Sequence, residues 1–301
     1  MMPSKKTAKY RTDTPLVSVI IPTYNRGWCL MASIDSVLSQ TFTDYELIVV
    51  DDGSTDDTLK QLSRYDQITV ITQSNHGVSA ARNKGISLSR GELITFLDSD
   101  DLWLPGKLTA QVRLFNQNPD AMICQTQEIL IRNGKRIYPK NRHLKASGYF
   151  FERSLGLCLV SPSAVMIKRE IFNEVGLFDE RLPACEDYDL WLRIGARRPI
   201  FLIDEPLVVK KGGHADQLSS QPGLDKYRIQ SILKLLESGI LSQKQRKAAA
   251  DVLQKKCDIV ASGCQKRGKI EEMRFYRDLV RTGATHVKAN ATEITAITRD
   301  T

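Results

Sequence analysis

The sequence lacks several features that would define a class of protein. None of its apolar runs approaches the roughly 18 residues of a membrane span, and no unit repeats at a fixed period. Its six cysteines form no C-x-x-C pair, which argues against a zinc ribbon or a disulfide framework and favours reduced, buried thiols. The N-terminal segment has no apolar core typical of a secretory signal. We therefore expect a soluble, cytoplasmic globular protein.

The charge is unevenly distributed. The 301 residues carry 43 Lys and Arg against 35 Asp and Glu, a net charge of +8, and the excess lies in residues 1–14 and 221–301. These positions include no compact basic-aromatic motif, so nucleic-acid binding is not expected. The basic ends could contact an anionic inner membrane face. Alternatively, the C-terminal helices form a cap over an apolar edge, which their regularly spaced apolar residues favour. The sequence leaves the oligomeric state open.

Hydrophobic patterning predicts an α/β fold. Short β-branched runs alternate with helical patterns in units of about thirty residues, as in a parallel sheet flanked by helices. Ser54 or Thr55 is expected to cap the second helix, and Asn133-Gly134 to form a hairpin turn. We predict three regions: a basic tail over 1–14, an α/β domain over 15–221 and a helical region over 222–301. The helical region is expected to contain three helices, near 225–238, 243–262 and 268–282. Residues 284–301 have little periodicity and are expected to fray.

Polar side chains follow each of the first four predicted strands. In parallel α/β sheets, ligands bind beyond the carboxyl ends of the strands. The four loops carry, in chain order, Thr23-Tyr24-Asn25, Asp51-Asp52-Gly53, Asn75-His76-Gly77 and Asp98-Ser99-Asp100-Asp101. An aromatic face, carboxylates and glycines in one cleft suit a nucleotide.

The acidic cluster after the fourth strand suggests a metal. Clustered carboxylates at a strand end repel one another and lose hydration unless a positive charge lies among them, and a divalent cation bridging to phosphate is the usual solution. Hard oxygen ligands favour Mg²⁺ or Mn²⁺ over zinc. Helix capping is the alternative role for Asp101.

Five segments carry a family resemblance: VSVIIPTYNR, TFTDYELIVVDDGSTDDT, NHGVSAARNKG, GELITFLDSDD and CEDYDLWLR. Together they strongly resemble the family 2 glycosyltransferases, inverting enzymes of the GT-A fold that use nucleotide-activated sugars. The resemblance covers roughly 16–195 and does not extend to 222–301. It implies metal-dependent transfer of a hexosyl or N-acetylhexosaminyl group from a nucleoside diphosphate sugar, expected to be a UDP-sugar. The acceptor would be a hydroxyl of a glycan, a lipid-linked glycan or a protein.

The resemblance also implies residue roles at the nucleotide. It places the base near Pro22, Thr23, Tyr24 and Asn25, with Asp52 at the polar edge of the base. A stacking role suits the flat ring of Tyr24. Further nucleotide contacts are assigned to Asn75, Arg82, Asp98 and Ser99, with Arg82 near the pyrophosphate or the base. Asp98 and Asp100 match the family's DxD element, one contacting ribose and the other the metal, with Asp101 as a substitute.

The catalytic base is expected near the start of a later helix. The resemblance assigns it to Asp187, with Glu186 beside it and Asp189 as a weaker candidate. Neighbouring helical side chains point about 100° apart, so only one of the first two can face the anomeric carbon. These acids also suit an ordinary helix N-terminus. Trp191 is expected to pack below the acceptor site.

A glycine-containing loop over 208–220 is a candidate lid. Its His214 is a candidate metal ligand or phosphate contact, with a surface group as the alternative. Two other functions compete with transfer. A sugar nucleotidyltransferase would show a Gly-rich, Lys/Arg-containing signature after the first strand, and PTYNRGW is not one. A catalytically silent nucleotide-sugar-binding scaffold would be favoured by loss of the acidic motifs, which are present here.

Overall fold

The computed structural model describes residues 14–214, 217 and 221–281. Within these residues, nine strands form one sheet: β1 Val17–Thr23, β2 Tyr45–Asp51, β3 Thr69–Thr72, β4 Leu93–Phe96, β5 Leu102–Trp103, β6 Ile123–Arg132, β7 Lys135–Ile137, β8 Val165–Lys168 and β9 Phe201–Gly212. Ten α-helices are found in the same described ranges: α1 Leu30–Leu38, α2 Thr58–Leu62, α3 Val78–Leu88, α4 Lys107–Gln117, α5 Phe151–Gly156, α6 Ile171–Val175, α7 Glu186–Gly195, α8 Leu224–Glu237, α9 Gln243–Lys266 and α10 Ile270–Arg281. Short 3-10 turns span Asn141–His143 and Pro162–Ala164.

The sheet has a parallel half and a mixed half. Its order is β3-β2-β1-β4-β8-β6-β9-β5, with β7 paired to β6. The first four strands of that order are all parallel. Strand β8 then runs antiparallel to β4 and β6, and β9 runs parallel to β6. All seven residues of β1 are buried, as expected for a β-branched strand covered on both faces. The predicted α/β fold is confirmed.

The parallel half brings the polar loops to one edge. Thr23 at the end of β1 is in register with Asp51 at the end of β2, and Asp51 with Thr72 of β3. Phe96 at the end of β4 is in register with Ile20 of β1, so the chain after β4 runs beside the last residues of β1. The loops that follow these strands therefore share the carboxyl-end edge, where ligands bind in such sheets.

Some local predictions hold and others do not. Asn133 and Gly134 both have positive φ, 50° and 72°, and connect β6 to β7 as predicted. The predicted caps of α2 are wrong, because that helix begins at Thr58. The Ser54 hydroxyl instead accepts a hydrogen bond from the backbone N–H of Asn25. In the 208–220 segment, the first five residues continue β9, and residues 215–216 and 218–220 lie outside the described residues.

Helix α7 lies between two hydrophobic cores. Its Leu190, Trp191 and Ile194 pack with the sheet layer, whereas Tyr188 and Leu192 pack with α5 and the three C-terminal helices. The helix is therefore apolar on several faces, which is typical of a helix enclosed by protein. The three predicted C-terminal helices are confirmed, and they cover α7. Division of the chain at residue 221 stays a prediction, and residues 1–13 and 284–301 lie outside the described residues.

Trp191 is a packing residue, and its position below an acceptor site stays a prediction. Its ring lies edge-on to Phe178, with ring centroids 6.3 Å apart, and the side chain is buried.

Close packing of α3 against β1 depends on Gly85. A Cβ at this position would lie 2.5 Å from Cγ2 of the buried Ile20. We expect Gly85→Ala to lower the free energy of unfolding by about 1–3 kcal/mol, because the core must shift to admit the methyl group. The matched variant is Gly156→Ala, whose Cβ would meet no atom within 4 Å. Urea denaturation measures both, and equal effects of the two substitutions would contradict the prediction.

Candidate active site

Asp52 joins three strand-end loops. Its carboxylate accepts hydrogen bonds from the backbone N–H groups of His76 (3.0 Å) and Gly77 (2.8 Å) and from the Gln73 side chain (2.7 Å). Its own N–H donates to the carbonyl of Thr23. Asp52 therefore ties the start of α3 to the ends of β1 and β2. Contact of Asp52 with the base stays a prediction. Both of its carboxylate oxygens already accept hydrogen bonds from the protein.

The loop after β1 has an exposed aromatic ring above a fixed turn. Tyr24 is 43% exposed, so its ring is accessible for stacking. Asn25 has a left-handed backbone (φ 51°), and its side-chain oxygen accepts hydrogen bonds from the N–H groups of Thr55 and Asp56. Asn25 therefore holds the loop in shape, a role that the sequence did not suggest.

The other predicted nucleotide residues differ in accessibility. Pro22 and Thr23 are buried, and the Thr23 hydroxyl has no hydrogen-bond partner among the described residues. Asn75 is exposed. Ser99 is buried, and its carbonyl accepts a hydrogen bond from the Ser33 hydroxyl. Of all the predicted nucleotide-binding residues, Tyr24 and Asn75 are the two with exposed side chains.

Arg82 lies below the cleft. It is 3% exposed, and its guanidinium donates to Glu186 (2.6 Å) and to Asp98 (2.8 Å). Burial alone would lower the pKa of Arg82, but the charges of Asp98 and Glu186 raise it above its ordinary value. Contact of Arg82 with the pyrophosphate or the base stays a prediction. In the structure its guanidinium links the buried Glu186 to the partly buried Asp98.

The acidic cluster after β4 has a protein cation among its members. Lys210 Nζ lies 3.4 Å from an oxygen of Asp101 and 3.7 Å from an oxygen of Asp98. Asp101 is buried and also accepts hydrogen bonds from the Ser163 hydroxyl (2.7 Å) and the N–H of Lys211 (2.9 Å). The substitute role of Asp101 in the DxD element stays a prediction. Lys210 and Arg82 therefore supply part of the positive charge that was expected from a metal ion.

These contacts shift the pKa values of the acids in opposite directions. Burial raises the pKa of Asp101 to about 7, and nearby Asp98 and Asp100 add to this effect while Lys210 opposes it. Burial also raises the pKa of Asp98, but Arg82 and Lys210 outweigh it, so the net shift is downward. Asp98 is thus held as a carboxylate.

Asp100 and His214 form a separate pair. The carboxylate of Asp100 and Nε2 of His214 are 2.7 Å apart, and the ring of Trp28 lies edge-on to the imidazole at 5.6 Å. A carboxylate and an imidazole suit Mn²⁺ and also bind Mg²⁺ through oxygen. Among the residues that the structure describes, no group of three or more His, Cys, Asp or Glu side chains is arranged to hold a metal. The structure thus pairs Asp100 with His214, whereas Asp98 is paired with Arg82 and Lys210.

Three acids on α7 occupy three environments. Glu186 is bonded to Arg82, and Asp189 is buried with ion pairs to Arg193 and Lys234. Asp187 accepts a hydrogen bond from the N–H of Tyr188, and one of its oxygens lies 3.6 Å from the Cys158 sulfur. In the described part of the chain, Asp187 has no ion pair.

The surroundings of Asp187 make it a stronger base than an ordinary aspartate. Burial raises the pKa of Asp187 above 3.8, although Arg82 lowers it in part. A carboxylate with a raised pKa that is not engaged by a cation can accept a proton. Burial raises the pKa of Glu186 as well, so the pKa shift does not distinguish these two acids. Of the candidates on α7, Asp187 fits that chemistry best because Glu186 and Asp189 are held in ion pairs.

Lys210 is the main residue that sequence reasoning missed. It occurs in a Lys-Lys pair at the end of an apolar run, a pattern equally typical of an exposed strand end. Only the pairing of β9 with β5 and β6 brings it to the acids after β4.

None of the helices described here combines the length and apolar character needed to cross a membrane.

The chain belongs to the family 2 glycosyltransferases. Residues 18–176, more than half of the chain, match the sequence profile of "Glycosyl transferase family 2".

Relatives support this assignment. An uncharacterized glycosyltransferase of Rickettsia felis is 33% identical over 232 residues, which cover 73% of this chain and 38% of the relative. One of Rickettsia bellii is 33% identical over 228 residues, 72% of this chain and 32% of the relative. The chain thus spans about a third of the length of these two. The Escherichia coli protein named UDP-Glc:alpha-D-GlcNAc-diphosphoundecaprenol beta-1,3-glucosyltransferase WfgD is 32% identical over 188 residues, 60% of this chain and 70% of that protein.

Solved structures show the same fold. S. aureus TarS 1–349 superposes with a TM-score of 0.63 at 19% identity, covering 80% of this chain and 70% of TarS. Its complex with UDP-GlcNAc gives a TM-score of 0.61 at 19% identity, covering 89% of this chain and 92% of the TarS chain. This similarity confirms the GT-A type of fold.

Loss of Arg82 should be severe. We expect Arg82→Met to lower the free energy of unfolding by about 3–5 kcal/mol, because it removes the shared partner of the buried Glu186 and the partly buried Asp98. The matched variant is Arg181→Met, which removes an exposed arginine paired with Asp179 and should cost at most about 1 kcal/mol. Guanidinium denaturation measures both. Equal losses would show that the buried network does not stabilise the fold.

Proposed function

We propose that the chain is a metal-dependent inverting glycosyltransferase that moves a sugar from a UDP-sugar to a hydroxyl of a lipid-linked glycan. The observation that carries the proposal is the placement of Asp187: a carboxylate of raised pKa, free of ion pairs among the described residues, beside the acids that follow β4. Inverting transfer needs such a group on the acceptor side of the sugar to take the hydroxyl proton.

The donor and acceptor classes are inferred from similar proteins. TarS has been crystallised with UDP and with UDP-GlcNAc, and the name of WfgD specifies UDP-Glc and a GlcNAc-diphosphoundecaprenol acceptor. The exposed ring of Tyr24 supports a planar base at the cleft. We assign a hexosyl or N-acetylhexosaminyl group to the donor, and a glycan or protein hydroxyl is the broader acceptor class.

The residues of this chain would divide the work of the reaction. Asp187 accepts the proton of the attacking hydroxyl, and Glu186, through Arg82, holds the start of α7 against the end of β4. Lys210 lies where its charge can offset charge developing on the departing diphosphate. Asp100 and His214 would hold the divalent cation, Mn²⁺ or Mg²⁺, which when bound supplies further charge stabilisation to the diphosphate.

Asp187 is tested by comparison with a neighbour on the same helix. Asp187→Asn should reduce kcat by at least about a hundredfold, because the amide cannot accept the proton. Asp189→Asn breaks ion pairs to Arg193 and Lys234 and should lower the melting temperature without a comparable loss of kcat. A panel of nucleotide sugars, with UDP release as the readout, identifies the donor and measures both variants. An active Asp187→Asn enzyme would remove the assigned base.

The pH dependence of the rate follows from the same carboxylate. The base must be deprotonated to act, and its pKa lies above 3.8 because of burial. The value of kcat/KM should therefore fall as pH decreases through a pKa higher than that of an ordinary aspartate. A pH–rate profile at subsaturating donor measures the acidic limb. An acidic limb with an apparent pKa at or below 3.8 would contradict the raised pKa of Asp187.

Metal dependence is tested at the Asp100–His214 pair. We expect EDTA to abolish transfer, Mn²⁺ or Mg²⁺ to restore it, and His214→Ala to raise the Mn²⁺ concentration needed for half-maximal activity by about tenfold or more. Titration of Mn²⁺ in the presence of UDP, followed by electron paramagnetic resonance, measures binding without turnover. His76→Ala is the matched control, since His76 lies outside the pair. Full activity in EDTA would remove the metal assignment.

A further inference from the structure

A run of exposed basic residues lies on the hairpin between β6 and β7 and on the segment that follows. Residues 129–151 contain six Lys or Arg and no Asp or Glu. Residues 132–144 are all exposed. We call residues 132–149 the basic hairpin segment.

The cations of this segment are displayed to solvent. In the described part of the chain, Lys145 is its one member with a carboxylate ion pair, to Glu128 at 3.4 Å. Five exposed cations remain: Arg132, Lys135, Arg136, Lys140 and Arg142. The basic excess of the chain was expected at its two ends, and this concentration of cations lies between them.

Large apolar side chains are exposed among the cations. Tyr138 is 77% exposed and Tyr149 72%, and Ile137 and Leu144 are also exposed. The guanidinium of Arg136 lies over the ring of Tyr138, 5.2 Å from its centroid. Exposed tyrosines and aliphatic residues beside lysine and arginine are typical of surfaces that lie in the headgroup region of a bilayer. A soluble polyanion would use the cations but would leave the aliphatic groups in water.

The segment adjoins the loop that carries His214. The N–H of Asn133 donates to the carbonyl of Gly212, and β6 pairs with β9 as far as Arg132 and Gly212. A surface bound to this segment would therefore lie beside the edge of the active site.

We propose that the basic hairpin segment docks the protein on bilayers that contain anionic lipids, with its cations on the headgroups and Tyr138, Tyr149 and their aliphatic neighbours in the interface. This surface is distinct from the basic ends of the chain, residues 1–14 and 221–301. It does not depend on the identity of the donor or on Asp187, so it can fail while the proposed transfer activity stands.

Sedimentation of the full chain with vesicles tests the proposal. The protein should sediment with phosphatidylcholine vesicles that contain phosphatidylglycerol, and not with pure phosphatidylcholine vesicles. The triple variant Lys135→Ala, Lys140→Ala, Arg142→Ala should lower the partition coefficient by at least about tenfold. The double variant Tyr138→Ser, Tyr149→Ser should also lower it, at unchanged net charge. Melting temperatures near that of the wild type verify folding.

A matched variant separates this surface from total charge. Arg246→Ala, Lys255→Ala, Lys266→Ala removes three exposed cations of α9 and should leave vesicle binding near the wild-type level. The proposal is overturned if the hairpin triple variant binds as the wild type does, or if the α9 variant loses as much binding. It is also overturned if the wild type binds heparin in solution but neither kind of vesicle, since the partner would then be a soluble polyanion.

Discussion

The buried guanidinium of Arg82 is the interaction on which the active site depends. It is bonded at once to Asp98, after β4, and to Glu186, at the start of α7, so one side chain of α3 connects two distant parts of the chain. A buried charge is tolerated only when it is paired and hydrogen-bonded. Arg82, Asp98 and Glu186 therefore hold one another in position. Because Asp187 follows Glu186 on α7, the same contacts position Asp187.

A second constraint is the charge balance of the cluster after β4. Three carboxylates follow one strand, and the protein places Lys210 near two of them. The positive charge of Lys210 thus offsets the repulsion between the carboxylates of Asp98 and Asp101. Asp100 is directed instead to His214, which leaves this pair as the part of the cluster best suited to a divalent ion. The cleft thus divides its acids between a structural set and a set available to ligands.

The same division occurs on α7, by helix geometry. Successive side chains of a helix point about 100° apart, so Glu186 faces Arg82, Asp187 faces Cys158, and Asp189 faces Arg193 and Lys234. The C-terminal helices take part, because Lys234 belongs to α8. They therefore contribute both a core that covers α7 and an ion pair that neutralises one of its acids.

Residue patterns alone were enough to predict the α/β fold, the polar loops at one sheet edge, the Asn133-Gly134 turn and the acids that open α7. These features depend on local periodicity and turn chemistry, which act over a few residues. Other features became visible in the folded chain: Arg82 is buried, Asn25 holds a turn, Lys210 lies among the acids, and Asp187 rather than Glu186 has no ion pair among the described residues. Charge partners more than a hundred residues apart, such as Arg82 and Glu186, meet through strand order and helix packing, and spacing along the chain does not record which carboxylate each cation will reach.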